Sequence, residues 1–290
     1  MEKINGIIVI NKPKGLTSQE VVTKVKKILK IKKVGHTGTL DPNATGVLPL
    51  LLNDGTKISK YLIEHDKEYC VTLKLGIATT TYDKEGEITE EKSVNWKQIN
   101  KNLEDTLKSF KGKQEQVPPI YSAIKIKGRK LYEYARNGQT VEIPSRKIEI
   151  YEIKLNKINE EENTVEFTVS CSKGTYIRSL CKDIAEKLGT CGYMKELNRT
   201  KVGKFDIKNS ITIEGLEREE NIEKKVITIQ EYFKEKPTIE LNEDELKKFL
   251  NGILINQNLE DGLYNIYCKH SYIGLATVHS NKLKRDVVII

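Results

Sequence analysis

The chain has 290 residues, 38% hydrophobic and 31% charged, which fits a folded protein with room for two domains. No apolar run approaches the roughly 20 residues that span a bilayer, and "MEKINGIIVINKP" is too short and interrupted for a signal peptide, so no membrane association and a cytoplasmic location are expected. The net charge is +8, and residues 236–290 carry seven basic and seven acidic residues, so the excess lies upstream; it suits a polyanionic partner and equally a solvated lysine-rich surface.

In chain order, "GIIVI" predicts a strand ending at "NKPKG". Thr17 and Glu20 stand at capping-box spacing. Val21, Val22, Val25, Ile28 and Leu29 then recur at helical period with lysines on the other face. The stretch "VGHTGTLDPNATGVLP", residues 34–49, is too dense in turn residues for a helix to cross it. "VLPLLL" predicts a buried strand and "TKISKYLIE" a short helix. "EYCVTLKLG" has strand period, with Tyr69, Val71, Leu73 and Leu75 on one face. Residues 79–93 are polar and acidic, with "DKEG" as a turn. "INKNLEDTLKSFKG" predicts an amphipathic helix stopped by Gly112.

Residues 114–147 mix prolines, tyrosines and cations without one period. "VEFTVSCS" predicts another alternating strand. "KGTYIRSLCKDIAEKLG" predicts a helix, with Tyr176, Ile177, Leu180, Ile184 and Leu188 on one side and Gly189 as its stop. A boundary is expected near residues 234–237. Beyond it "LNEDELKKFLNG" reads as a capped helix, and "GLYNIYCKHSYIGLATVHS" and "RDVVII" as strands.

Several chemistries lack their residues. The cysteines, Cys70, Cys171, Cys181, Cys191 and Cys268, are scattered, odd in number and without a C-x-x-C pair, so reduced thiols are expected rather than zinc or disulfides. His36, His65, His270 and His279 lack metal-ligand spacing, and no metal site is expected. There is no G-x-S-x-G elbow and no P-loop. The 34–49 stretch has one carboxylate, Asp41, where a glycosidase needs two. By composition alone, an Asp before Pro is a turn residue.

The string "GHTGTLDPNATGVLP" nevertheless resembles the central motif of the tRNA pseudouridine synthase B family. Other blocks follow in the family's order: "INKPKGLTS", "EYCVTLKLG", "QVPPIYSAIKIKGRKLYEYARNG", "SCSKGTYIRSLCKDIAEKLG" and "MKELNRTKVGKF". They cover about residues 5–210.

The resemblance implies an α+β pseudouridine synthase catalytic domain with a mixed central sheet (residues 1–234, with 114–147 a basic RNA-gripping insertion) and a compact PUA-like β domain (235–290). It implies isomerisation of uridine 55 in the tRNA T-loop, with Asp41 acting at the sugar and no cofactor. It places Tyr69 against a flipped base, Arg178 in an ion pair with Asp41, and Tyr176 and Leu197 in the uracil pocket. His36 would fill the space the base vacates, and Lys12 and Pro13 would support the loop. Lys125, Lys127, Arg129, Lys130 and Arg136, interleaved with Tyr121, Tyr132 and Tyr134, would track phosphates. The expected partner is the T-arm stem-loop of tRNA, bound by a monomer without an obligatory protein partner. Two other readings stay open: an RNA-folding module in which modification is secondary, and the guide-RNA-dependent relative of archaea and eukaryotes.

Overall fold

The structure, a computed structural model, describes residues 4–289. Its centre is a nine-stranded mixed sheet. The main path runs Gly6–Lys12, Thr45–Leu52, Gly192–Val202, Lys67–Leu75, Thr164–Cys171, Arg146–Asn159 and Gly112–Gln116. Val34–His36 joins Thr45–Leu52, and Phe205–Asp206 joins Gly192–Val202. Among the described residues, every strand pair in it is antiparallel except Gly192–Val202 against Thr45–Leu52, where Asn198 faces Thr45 and Arg199 faces Gly46.

Strand period sets the faces. Tyr69, Val71, Leu73 and Leu75 are buried, and Val169, Phe167 and Val165 lie opposite Tyr69, Val71 and Leu73. This face is covered by Ile99, Leu103 and Leu107 of helix Trp96–Lys108 and Ile177, Leu180 and Ile184 of helix Ile177–Lys187. The all-apolar "VLPLLL" is buried on both sides: Val47 and Leu51 enter one core, Leu48, Leu50 and Leu52 another that includes Val21, Val22 and Val25. Helix Ser18–Ile28 starts with the expected capping box, Thr17 with Glu20.

Three expectations change. "TKISKYLIE" is not one helix: a 3-10 segment, Asn53–Ile58, precedes Ser59–Ile63, and Gly55 in it packs against the Gly6 carbonyl, where a Cβ would lie 2.1 Å away. Tyr176 caps its helix rather than lying within it. Residues 114–147 are bounded by strands, since Arg146–Asn159 pairs with both Gly112–Gln116 and Thr164–Cys171. Register shifts at Ile150/Glu152 and Leu155/Lys157 interrupt its alternation, as bulges do, and hide the strand from a period-two reading.

The C-terminal part is a small β domain: a five-stranded sheet ordered Thr238–Glu240, Gly262–Cys268, Ser271–His279, Lys282–Val288 and Ile255–Asn256, beside helix Glu243–Leu250. The predicted segment 262–280 folds as a hairpin turning at Lys269 and His270, both at positive φ, as a tight hairpin turn requires. The expected strand "RDVVII" falls within Lys282–Val288 except its end; Ile290 lies outside the described residues. Tyr61 and Lys60 both contact Asp286, and Val9, Leu51, Leu275 and Val287 share one core, so this domain packs on the central sheet.

Candidate active site

The loop that carries Asp41 is held by its carbonyls. Lys12 is fully buried, and its Nζ donates to the carbonyls of Pro13, Pro42 and Ala44 at 2.9, 2.9 and 2.7 Å. Arg199, 2% exposed, donates through Nε to Val47 O at 2.7 Å, Nη2 to Gly38 O at 3.1 Å and Nη1 to Thr39 O at 3.5 Å. Ser18 Oγ donates to Leu40 O and accepts from Leu40 N, at 3.0 and 2.9 Å. Burying a cation costs several kcal/mol, and here charge-assisted bonds to backbone oxygens offset it. Gly46 has φ +104° and a Cβ would lie 2.2 Å from Arg199 O, so only glycine lets the parallel strand close over the loop.

Asp41 is thereby presented at a cavity of about 720 Å³ with its side chain 40% exposed, its Oδ2 3.2 Å from Arg178 Nε. Arg178 sits in the first turn of its helix, where the helix dipole disfavours a cation, and its side chain is only 9% exposed. Two carboxylates compensate. Asp83 Oδ2 lies 3.5 Å from Arg178 Nη1, and the guanidinium also donates to Thr81 O and Tyr121 O at 3.3 and 3.0 Å. The sequence shows one acid in the stretch; the fold brings a second within reach of the same arginine. Asp83 accepts from Thr81 Oγ1 at 2.6 Å and Glu85 N at 3.0 Å, and it lines an adjoining cavity of about 340 Å³, which Asp41 also borders, rather than the larger one. Its position suits fixing Arg178. Asp83→Asn therefore lowers kcat about 10- to 100-fold with KM nearly unchanged, because misplacing a reacting group by about 1 Å has an effect of this size; steady-state label-release kinetics check it, and an unchanged kcat would remove Asp83 from the positioning network.

Tyr69, Tyr176, Leu197 and Arg178 all line the larger cavity with Asp41. Leu197 faces Val71 in register, and Tyr69 faces Arg199. Burial pushes the Tyr69 phenol up to about 12, against the opposing pull of the Arg199 charge. At neutral pH the phenol is therefore protonated and the ring borders the cavity uncharged. The Tyr176 backbone is held at both polar atoms by the Gln116 side chain, at 2.8 and 3.0 Å. His36 does not line the cavity. It lies on the strand Val34–His36, half-buried, with burial and then Arg199 holding its imidazole below the usual range, and its Nδ1 has no partner among the described residues.

Within the insertion, Lys125–Ile126 and Arg129–Lys130 form a small hairpin, followed by helix Leu131–Arg136. Lys125, Lys127, Arg129 and Arg136 are exposed and Lys130 is half-buried. Lys130 and Arg136 both lie against the Tyr132 ring, at 5.3 and 5.4 Å from its centre, within cation–π range. Arg136 reaches the smaller cavity; Lys125, Lys127, Arg129 and Lys130 line neither. Sequence reasoning missed Arg199 and Asp83. Arg199 sits in the quoted block "MKELNRTKVGKF" without a distinguishing pattern, and Asp83 in a turn where any acid is ordinary.

These features meet relatives of known name. Residues 26–177 match the TruB family pseudouridylate synthase N-terminal domain, and residues 178–250 the tRNA pseudouridylate synthase B C-terminal domain. The tRNA pseudouridine synthase B of Caldanaerobacter subterraneus subsp. tengcongensis is 44% identical over 284 residues, 97% of this chain and 98% of that protein. That of Clostridium tetani is 46% identical over 278 residues, 94% and 95% of the two. Among solved structures, one of a Cbf5–Nop10–Gar1 complex superposes with a TM-score of 0.69 at 26% identity, covering 100% of this chain and 85% of that one. The chain belongs to the TruB family of pseudouridylate synthases and is an enzyme of tRNA pseudouridylation.

Proposed function

We propose that the enzyme converts uridine 55 in the T-loop of tRNA to pseudouridine, with Asp41 as the one reacting side chain. The observation that carries this reading is a solvent-reachable Asp41 carboxylate at a cavity whose wall holds Tyr69, Tyr176 and Leu197. A base stacked in a folded loop must be flipped to reach such a cavity, and aromatic and aliphatic walls suit a planar uracil. The C1′–N1 bond breaks, the base turns, and C1′ bonds to C5, whose proton is lost as N1 gains one. Product and substrate are isomers, so no group or electron has to be supplied. Asp41 acts either by attack at C1′ or by taking a sugar proton to begin elimination. Uracil leaves as a stabilised anion, which removes the need for a second reacting acid. Arg178 fixes Asp41. The insertion, with two cations against its Tyr132 ring, supports recognition of the T-arm without a guide RNA, and the C-terminal β domain is read as PUA-like.

The test is a bare T-arm stem-loop carrying tritium at uracil C5. Label is released from the position-55 uridine, stoichiometrically with substrate, and not from a stem-loop with cytidine there and label at other uridines. Release only from other positions, or only after accessory proteins and a guide RNA are added, would overturn the assignment.

A further inference from the structure

The densest charge in the chain is outside both cavities. From residue 21 to 40 there are six lysines and no acid, whereas the insertion, 114–147, has seven basic and three acidic residues. Lys24, Lys26, Lys27, Lys30, Lys32 and Lys33 are all exposed. None of them forms an ion pair with an acid among the described residues. Val21, Val22 and Val25 take the other side of the helix into the core, and 100° per residue turns Lys24, Lys26 and Lys27 away from them; Lys30 follows just past the helix end, at φ +50°.

Helix stability accounts for only two of them. Lys26 and Lys27 complement the dipole in the last turn. Lys24 and Lys27, spaced three apart, are like charges on one row and disfavour the helix by a few tenths of a kcal/mol. Lys30, Lys32 and Lys33 lie beyond it. The ridge is tied to the reacting loop at both ends. Ser18, the helix's first residue, clamps Leu40 beside Asp41, and Lys33 leads directly into Val34–His36 and then the cavity wall at Thr37. The helix of 11 residues carries the ridge about 16 Å away from the loop.

We propose that this lysine ridge is a second RNA-contact surface, taking backbone phosphates of the double-helical stem that leads away from the flipped base. The inference rests on the proposed tRNA reading of the neighbouring cavity. Lysines are point charges without planar base-reading geometry, and no Phe, Tyr or Trp stands among residues 21–33 to stack an unpaired base. The match is therefore to phosphates rather than to base identity. The ridge sets affinity and orientation and leaves the chemical step untouched.

The test replaces Lys24, Lys26, Lys27 and Lys30 together by glutamine, which keeps helix propensity. Binding of a T-arm stem-loop is titrated between 50 and 300 mM salt, conditions under which about 0.7 to 0.9 of log K per log salt is lost for each phosphate contact. The slope falls by about 3, affinity at about 0.15 M salt drops tenfold or more, and kcat at saturation stays within about twofold. The deficit is absent for the single-stranded loop sequence. A matching variant of Lys97, Lys101, Lys108 and Lys111, also exposed, leaves the slope unchanged. An unaltered slope, an equal fall in the matching variant, or an equal deficit on the single strand each overturns the ridge. The readout is binding, so failure of the wild-type protein to release label would count against the proposed reaction and not against the ridge.

Discussion

Asp41→Asn binds the T-arm stem-loop within about threefold of the wild-type affinity and releases tritium at least about 10³-fold more slowly, the scale on which removing a reacting side chain acts. The substitution keeps shape and a hydrogen-bond acceptor 3.2 Å from Arg178 Nε while removing the charge. The side chain is 40% exposed and its loop is held through backbone carbonyls, so the thermal midpoint moves little. Binding isotherms, melting and single-turnover label release separate the three quantities. Wild-type release by the variant would remove Asp41 from the chemistry. The same protein separates modification from RNA folding: full complementation by a variant that makes no pseudouridine would give the folding role the larger part.

Arg199→Met unsettles the whole loop. Three donors vanish, leaving the carbonyls of Gly38, Thr39 and Val47 without them. Each charge-assisted bond contributes about 1.5–3 kcal/mol. Against this stands relief from burying a cation, whose own ionisation burial already disfavours. Removing one side of a buried charged network destabilises by about 3–5 kcal/mol, so a net loss of that order is expected. The midpoint falls by roughly 2–4 °C per kcal/mol. At a temperature where circular dichroism shows the fold intact, kcat is lower by about 100-fold, because the segment presenting Asp41 has lost its anchor. Lysine at 199 does not restore either quantity, since one ammonium cannot reach the three carbonyls that separate nitrogens of the planar guanidinium meet. An unchanged midpoint would mean that Lys12 and Ser18 hold the loop without Arg199.

The sequence was legible where one residue's neighbours in the chain are also its neighbours in space. The helix Ser18–Ile28 with its capping box and the strands Lys67–Leu75 and Thr164–Cys171 follow from period and caps alone. The segment between residues 34 and 49 is free of helix, as its turn residues require. Arg146–Asn159 was hidden because two register shifts disturb its alternation. The site divides in the same way. Asp41 could be singled out because its glycine-rich surroundings form one contiguous string, and Tyr69, Tyr176, Arg178 and Leu197 because each sits in a recognisable block. The fold gathers these four and Asp41 around one cavity, and leaves Lys125, Lys127, Arg129 and Lys130 outside it.

What the sequence by itself determined is the set of groups available: one carboxylate in a tight loop, through the family resemblance an arginine to pair with it, an aromatic residue on an alternating strand, and an excess of positive charge. Only the tertiary structure decided how that carboxylate is held and aimed. Lys12 meets carbonyls 30 and 32 residues away, Arg199 meets one 152 residues away, and Asp83 reaches Arg178 across 95 positions. Backbone carbonyls carry no residue identity, so a cation that binds them leaves no partner to find in the sequence; the partner exists only once the strands have closed over the loop.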